Sequence, residues 1–87
     1  MAKVEIYTSL LCGFCHRAKS LLKKKDVAFV EYDLMAQPGK RAEMLERSGG
    51  RTSVPQIFID GRHIGGSDEL YDLERRNGLD SLLRDAA

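Results

Sequence analysis

β-Branched and aromatic residues fill the stretch from Lys3 to Thr8, which predicts a strand ending at the loop Ser9-Leu10-Leu11. The apolar period then changes. Cys15, Ala18 and Leu22 recur at spacings of three and four with Leu21 beside them, while His16, Arg17, Lys19, Lys23 and Lys24 take the other side. A helix follows, with Cys15 turned inward and Cys12 outward. Lys23-Lys24-Lys25 places cations in its last turn, where the macrodipole favours them, and reads as a solvated helix end before Asp26 breaks the pattern. Ala28 to Tyr32 predicts a second strand, parallel to the first because a strand–helix–strand unit of this length returns through a right-handed crossover. Pro38-Gly39 opens another helix, with Ala42, Met44 and Leu45 as its apolar face and Glu43 and Arg47 as an i,i+4 pair; Gly49-Gly50 ends it. Gln56-Ile57-Phe58-Ile59 is the clearest strand signal, and Asp60-Gly61 turns it as a hairpin into Arg62-His63-Ile64. Gly65-Gly66 closes that strand. Ser67 can cap a last helical stretch through Leu73, with Asp68 and Glu69 in its first turn. The order is β-α-β-α-β-β-α.

With 87 residues, 43% of them hydrophobic, the chain has material for one modest core, so residues 1–87 are read as a single domain. Fourteen Lys and Arg stand against thirteen Asp and Glu, a balance that gives no reason to expect nucleic acid or an anionic membrane as partner. Met1-Ala2-Lys3-Val4-Glu5 lacks the apolar core of a signal peptide, and no stretch approaches the roughly 20 apolar residues that span a bilayer. A soluble, cytoplasmic protein is expected. Its two cysteines are too few for a secreted disulfide scaffold, and a close pair in a cytosolic chain points to catalysis or metal binding.

That pair, Cys12-Gly13-Phe14-Cys15, sits between a strand and a helix. Cysteines at this spacing can form a short disulfide, and the first sulfur lies near unpaired helix N–H groups that stabilise a thiolate, the species that attacks disulfides. Cys12 suits the attacking role, and Cys15 that of a second thiol resolving the intermediate. Two rival chemistries share these letters. Cys12 to His16 also spells a c-type haem attachment motif, but the strand signals at Val4 to Tyr7 and Gln56 to Ile59 contradict a helical cytochrome, and no methionine follows Met44 as a late axial ligand. A zinc site would have only His16 and His63 to complete a tetrahedron. Further along, Gly66-Ser67-Asp68 offers N–H groups at a helix start beside a carboxylate, a receptor for an α-amino acid with one charge of each sign, although Ser67 and Asp68 also read as simple caps.

Three segments in order, Cys12 to Lys19, Ser53 to Gly61 and His63 to Leu70, resemble the glutaredoxin family in its small bacterial dithiol form, and the resemblance covers essentially the whole chain. It implies the thioredoxin fold, an α/β structure with a four-stranded mixed sheet flanked by helices, and glutathione-dependent reduction of disulfide-bonded or glutathionylated proteins, with Cys12 and Cys15 as the redox-active disulfide. It also implies a cis bond before Pro55, with Val54 pairing strand-like with the cysteinyl part of glutathione. The implied glutathione site runs along Phe14, Ser53, Val54, Pro55, Gly66, Ser67 and Asp68, with Arg51 as a contributor. Where many members of the family carry lysine three residues before the nucleophile, this chain has Ser9, and their Pro-Tyr between the cysteines is replaced by Gly13-Phe14. Relatives with Gly-Phe after the first cysteine hold iron–sulfur clusters but have serine at the position of Cys15. The alternative function is therefore a [2Fe–2S] cluster bridged between two chains by Cys12 and glutathione, on an otherwise monomeric protein. A donor reduced by thioredoxin reductase is the third reading, and the Gly66-Ser67-Asp68 site argues against it.

Overall fold

The computed structural model describes residues 2–84. Its elements are β1 (Val4–Thr8), α1 (Gly13–Lys24), β2 (Val30–Asp33), α2 (Lys40–Arg47), β3 (Gln56–Ile59), β4 (Arg62–Gly65), α3 (Ser67–Arg75) and α4 (Leu79–Arg84). The strands form one mixed sheet in the order β2-β1-β3-β4, with β1 parallel to β2 and antiparallel to β3, and β4 antiparallel to β3. The order matches the sequence reading through α3, and α4 follows as a further helix. Its signal is the spacing of Leu79, Leu82 and Leu83, which repeats at three and four and turns Leu79 into the core.

Alternation along the two central strands sorts the core into two layers. Val4 and Ile6 of β1, with Ile57 and Ile59 of β3, pack on Ala18, Leu21 and Leu22 of α1, Leu70 of α3 and Leu79 of α4. Tyr7 and Phe58 point the other way, against Met44 of α2 and Leu34. Both central strands are buried on both faces, which accounts for the unbroken apolar run Ile57-Phe58-Ile59.

Local details depart from the sequence reading. β2 begins at Val30, not Ala28. Ala42 is exposed, so α2 buries Met44 alone, with Leu45 half-buried; eight residues give this helix only a narrow contact. Lys25 does not end α1 in solvent: its Nζ lies 2.7 Å from Glu74 and 2.9 Å from Asp80, tying α1 to α3 and α4. Glu43 and Arg47 do approach, but at 3.9 Å, because Arg47 turns chiefly to Glu5.

Candidate functional site

β1 delivers the chain to the end of the sheet, where Leu11 takes a left-handed turn at φ 64° and Cys12 adopts an extended conformation as the N-cap of α1. The cap is a sulfur. Cys12 Sγ accepts the Cys15 backbone N–H at 3.1 Å, one of the donors that a helix start leaves free. No acidic residue lies in the first turn of α1, so no carboxylate of that turn opposes the dipole's positive end at the sulfur. Cys15 falls on the buried side, 2% exposed against the partly exposed Cys12, and both are free thiols. Burial, reinforced by the hydrogen bond with Cys12, pushes the Cys15 thiol up to about 12, against the opposing pull of a backbone bond from Ser9 and the charge of Lys19.

A second segment reaches the same sulfur. The Val54–Pro55 bond is cis, and the Val54 carbonyl lies 3.8 Å from Cys12 Sγ. Every residue assigned to glutathione from the sequence, Phe14, Arg51, Ser53, Val54, Pro55, Gly66, Ser67 and Asp68, lines one open cleft of about 180 Å³. Cys12 and Cys15 line the neighbouring hollow with Ser9 and Lys19, so Phe14 and Val54 stand at the border between sulfur and cleft.

The far wall of the cleft is the start of α3, and here the capping differs from the expectation. Gly66 is the N-cap, and Ser67 is the first helical residue. Glu69 Oε1 caps instead, accepting the Gly66 N–H at 2.6 Å. Arg51 Nη2 lies 3.4 Å from the same oxygen, and the backbone bond and the guanidinium together hold the Glu69 carboxyl below the usual range. Ser67 is 4% exposed and its hydroxyl has no partner, the one such buried side-chain atom among the described residues. A Cβ on Gly66 would stand 3.2 Å from the Pro55 carbonyl oxygen, so glycine lets α3 close against the loop that carries Pro55.

Sequence reasoning missed Glu69 as a wall of the cleft, although its place three residues after the cap is a capping signal. It also passed over Gln56, whose polarity inside a buried strand was the clue. His16 is exposed, and His63 of β4 meets Gln56 of β3 at 2.6 Å. Among the described residues no three His, Cys, Asp or Glu side chains gather as metal ligands, and no helix is long and apolar enough to cross a membrane.

Comparison with known proteins gives a consistent result. The family model described as Glutaredoxin matches residues 4–64. Glutaredoxin 3 of Escherichia coli is 58% identical over 84 residues, covering 97% of this chain and 100% of its own. A probable glutaredoxin of Synechocystis sp. is 50% identical over 82 residues, 94% of this chain and 93% of its own. Among solved structures, the solution structure of glutaredoxin from Brucella melitensis is 54% identical with a TM-score of 0.82, covering 97% of this chain and 90% of that one. The crystal structure of the buckwheat glutaredoxin–glutathione complex is 26% identical with a TM-score of 0.87, covering 97% and 78%.

Proposed function

The chain belongs to the glutaredoxin family and is a glutathione-dependent thiol–disulfide oxidoreductase, and we propose that Cys12 is its nucleophile, Cys15 its resolving thiol and the cleft beside them its glutathione site. The observation that carries this is the meeting of Cys12 Sγ and the Val54 carbonyl at 3.8 Å, from segments 42 residues apart, at the border of a cleft with polar groups to spare. A peptide extended along Val54 pairs with its backbone and brings a cysteinyl sulfur to Cys12. Its γ-glutamyl end then reaches the start of α3, where N–H groups and the Ser67 hydroxyl receive the carboxylate and Asp68 the ammonium. Phe14 forms the apolar side, and Arg51, shared with Glu69, lies at the rim.

In the first step the Cys12 thiolate attacks one sulfur of a substrate disulfide. A new S–S bond forms, the old one breaks, and the other sulfur leaves with the electron pair and takes a proton from solvent. With a protein disulfide, Cys15 then loses its proton and attacks Cys12, releasing the second substrate thiol and leaving the Cys12–Cys15 disulfide; two glutathione molecules reduce it and leave as glutathione disulfide. With a glutathionylated protein, Cys12 takes the glutathione sulfur, the protein thiol departs, and a second glutathione resolves the intermediate. The environment of Cys15 orders these events. Burial, the hydrogen bond with Cys12 and the Cys12 charge all oppose its ionisation, and the charge is removed once Cys12 is held in a mixed disulfide.

The same reading makes the protein a cytoplasmic, single-domain monomer acting on disulfide-bonded or glutathionylated proteins. A coupled assay with glutathione, glutathione reductase and a small mixed disulfide tests it: turnover should depend on glutathione, and turnover driven by thioredoxin reductase alone would overturn it. The exposed sulfur supports a second, subordinate reading. Cys12 is this chain's one accessible thiol, so a [2Fe–2S] cluster would draw on Cys12 and bound glutathione from each of two copies. A colourless protein after anaerobic purification with glutathione removes that reading.

A further inference from the structure

We infer that Gln56 and His63 are positioning residues for the glutathione cleft, holding the Ser53 carbonyl and with it the loop that presents Val54. This rests on the glutathione reading of the cleft. Gln56 opens β3 and is fully buried, at 0% exposure, in a strand whose other members are apolar. An amide buried there is costly unless both of its ends are bonded. Both are. Gln56 Nε2 donates to the Ser53 carbonyl at 3.0 Å and to Ser53 Oγ at 3.3 Å, spanning the loop of Val54 and Pro55. Its Oε1 lies 2.6 Å from His63 Nε2 on β4.

The amide nitrogen is spent on Ser53, so Gln56 Oε1 must accept, and His63 must carry its hydrogen on Nε2. The chain therefore runs one way, from His63 through Gln56 to Ser53. His63 is itself fixed, its ring 5.0 Å from that of Phe58 and tilted by 30°. Burial, with the charge of Arg51, holds it below the usual imidazole range against the opposing charge of Glu69, so it stays neutral near pH 7. Neither Gln56 nor His63 lines the cleft, whereas Ser53 and Val54 do. An apolar residue at 56 would fill the same space and leave the Ser53 carbonyl free to turn. The polarity of Gln56 thus serves the loop's orientation, beyond packing.

Gln56→Met keeps the volume and removes all three bonds. Its apparent KM for glutathione should rise about tenfold, as expected for loss of one well-formed hydrogen bond network. The maximal rate and the alkylation of Cys12 by iodoacetamide should stay within about twofold, since the sulfur's own cap is untouched. His63→Phe should raise KM similarly, and His63→Gln, which retains a donor, should restore it. Nitrogen shifts of His63 should report the Nε2–H tautomer in the unaltered protein. An unchanged KM in Gln56→Met, or equal KM values in His63→Phe and His63→Gln, would overturn the inference; the His63 pair decides alone if Gln56→Met does not fold. Absence of any glutathione dependence in the unaltered protein would instead remove the underlying reading.

Discussion

Polar side chains gather on the α2 face of this sheet and around the cleft, and the two groups differ in how fully they satisfy one another. On the α2 side, Arg47 grips Glu5 with two bonds, at 3.0 and 3.1 Å, and donates to the Tyr7 hydroxyl at 2.8 Å. Tyr32 donates to Glu5 at 2.8 Å, Tyr7 donates to Glu43, and the Arg47 guanidinium lies 4.1 Å from the centroid of Phe58. Burial and the Glu43 bond push the Tyr7 hydroxyl up to about 12, so it remains a donor at any working pH. Around the cleft the accounting stays open: the Ser67 hydroxyl has no partner and the Cys12 sulfur has a single strong donor. A closed network fixes the helix that supplies it.

The largest effect should come at the open side. Cys12→Ser should abolish all reduction, whereas Cys15→Ser should retain deglutathionylation, in which glutathione resolves the intermediate, and lose most reduction of protein disulfides. Assaying both substrates in both variants checks the division of roles, and equal loss in the two would erase it.

On the closed side, Arg47→Met strips a buried carboxylate of its cationic partner and should destabilise the fold by about 3 kcal/mol without changing activity per folded molecule. Denaturant unfolding beside the coupled assay measures both. The effect should be pH-dependent. The Arg47 bonds hold the Glu5 carboxyl below its ordinary value of 4.5, so their contribution is present above that pH and is lost as pH falls through the folded value. The stability gap between the two proteins should therefore narrow in acid.

Asp68→Ala sharpens the contrast on a smaller scale. It should weaken use of glutathione by about 1–2 kcal/mol through loss of a charge-assisted bond to the ammonium, with Cys12 alkylation unaltered. The KM for glutathione, measured beside the alkylation rate, separates binding from sulfur reactivity. Ser9→Lys should act least and in the opposite sense: a cation in the hollow beside Cys12 should lower that KM about two- to threefold, an effect that fades as salt is raised.

The strands, the first three helices and the place of the sulfur pair were legible in local terms: an apolar period of two or of three to four, and a cysteine at a helix start. Seven of the eight residues expected at glutathione belong to three separated motifs, with Arg51 outside them, and it is the fold that brings all eight to the lining of one cleft. Tertiary structure decided what no window of sequence contains. It chose Gly66 as the cap of α3, because Glu69 reaches back and a side chain there would crowd the Pro55 carbonyl at 3.2 Å. It drew Arg47 from Glu43 to Glu5, 42 residues away, and Lys25 from solvent to Glu74 and Asp80. Long polar side chains are promiscuous in sequence, and their partners are settled only when packing brings some within reach and desolvates them, so that an unpaired charge or amide becomes costly.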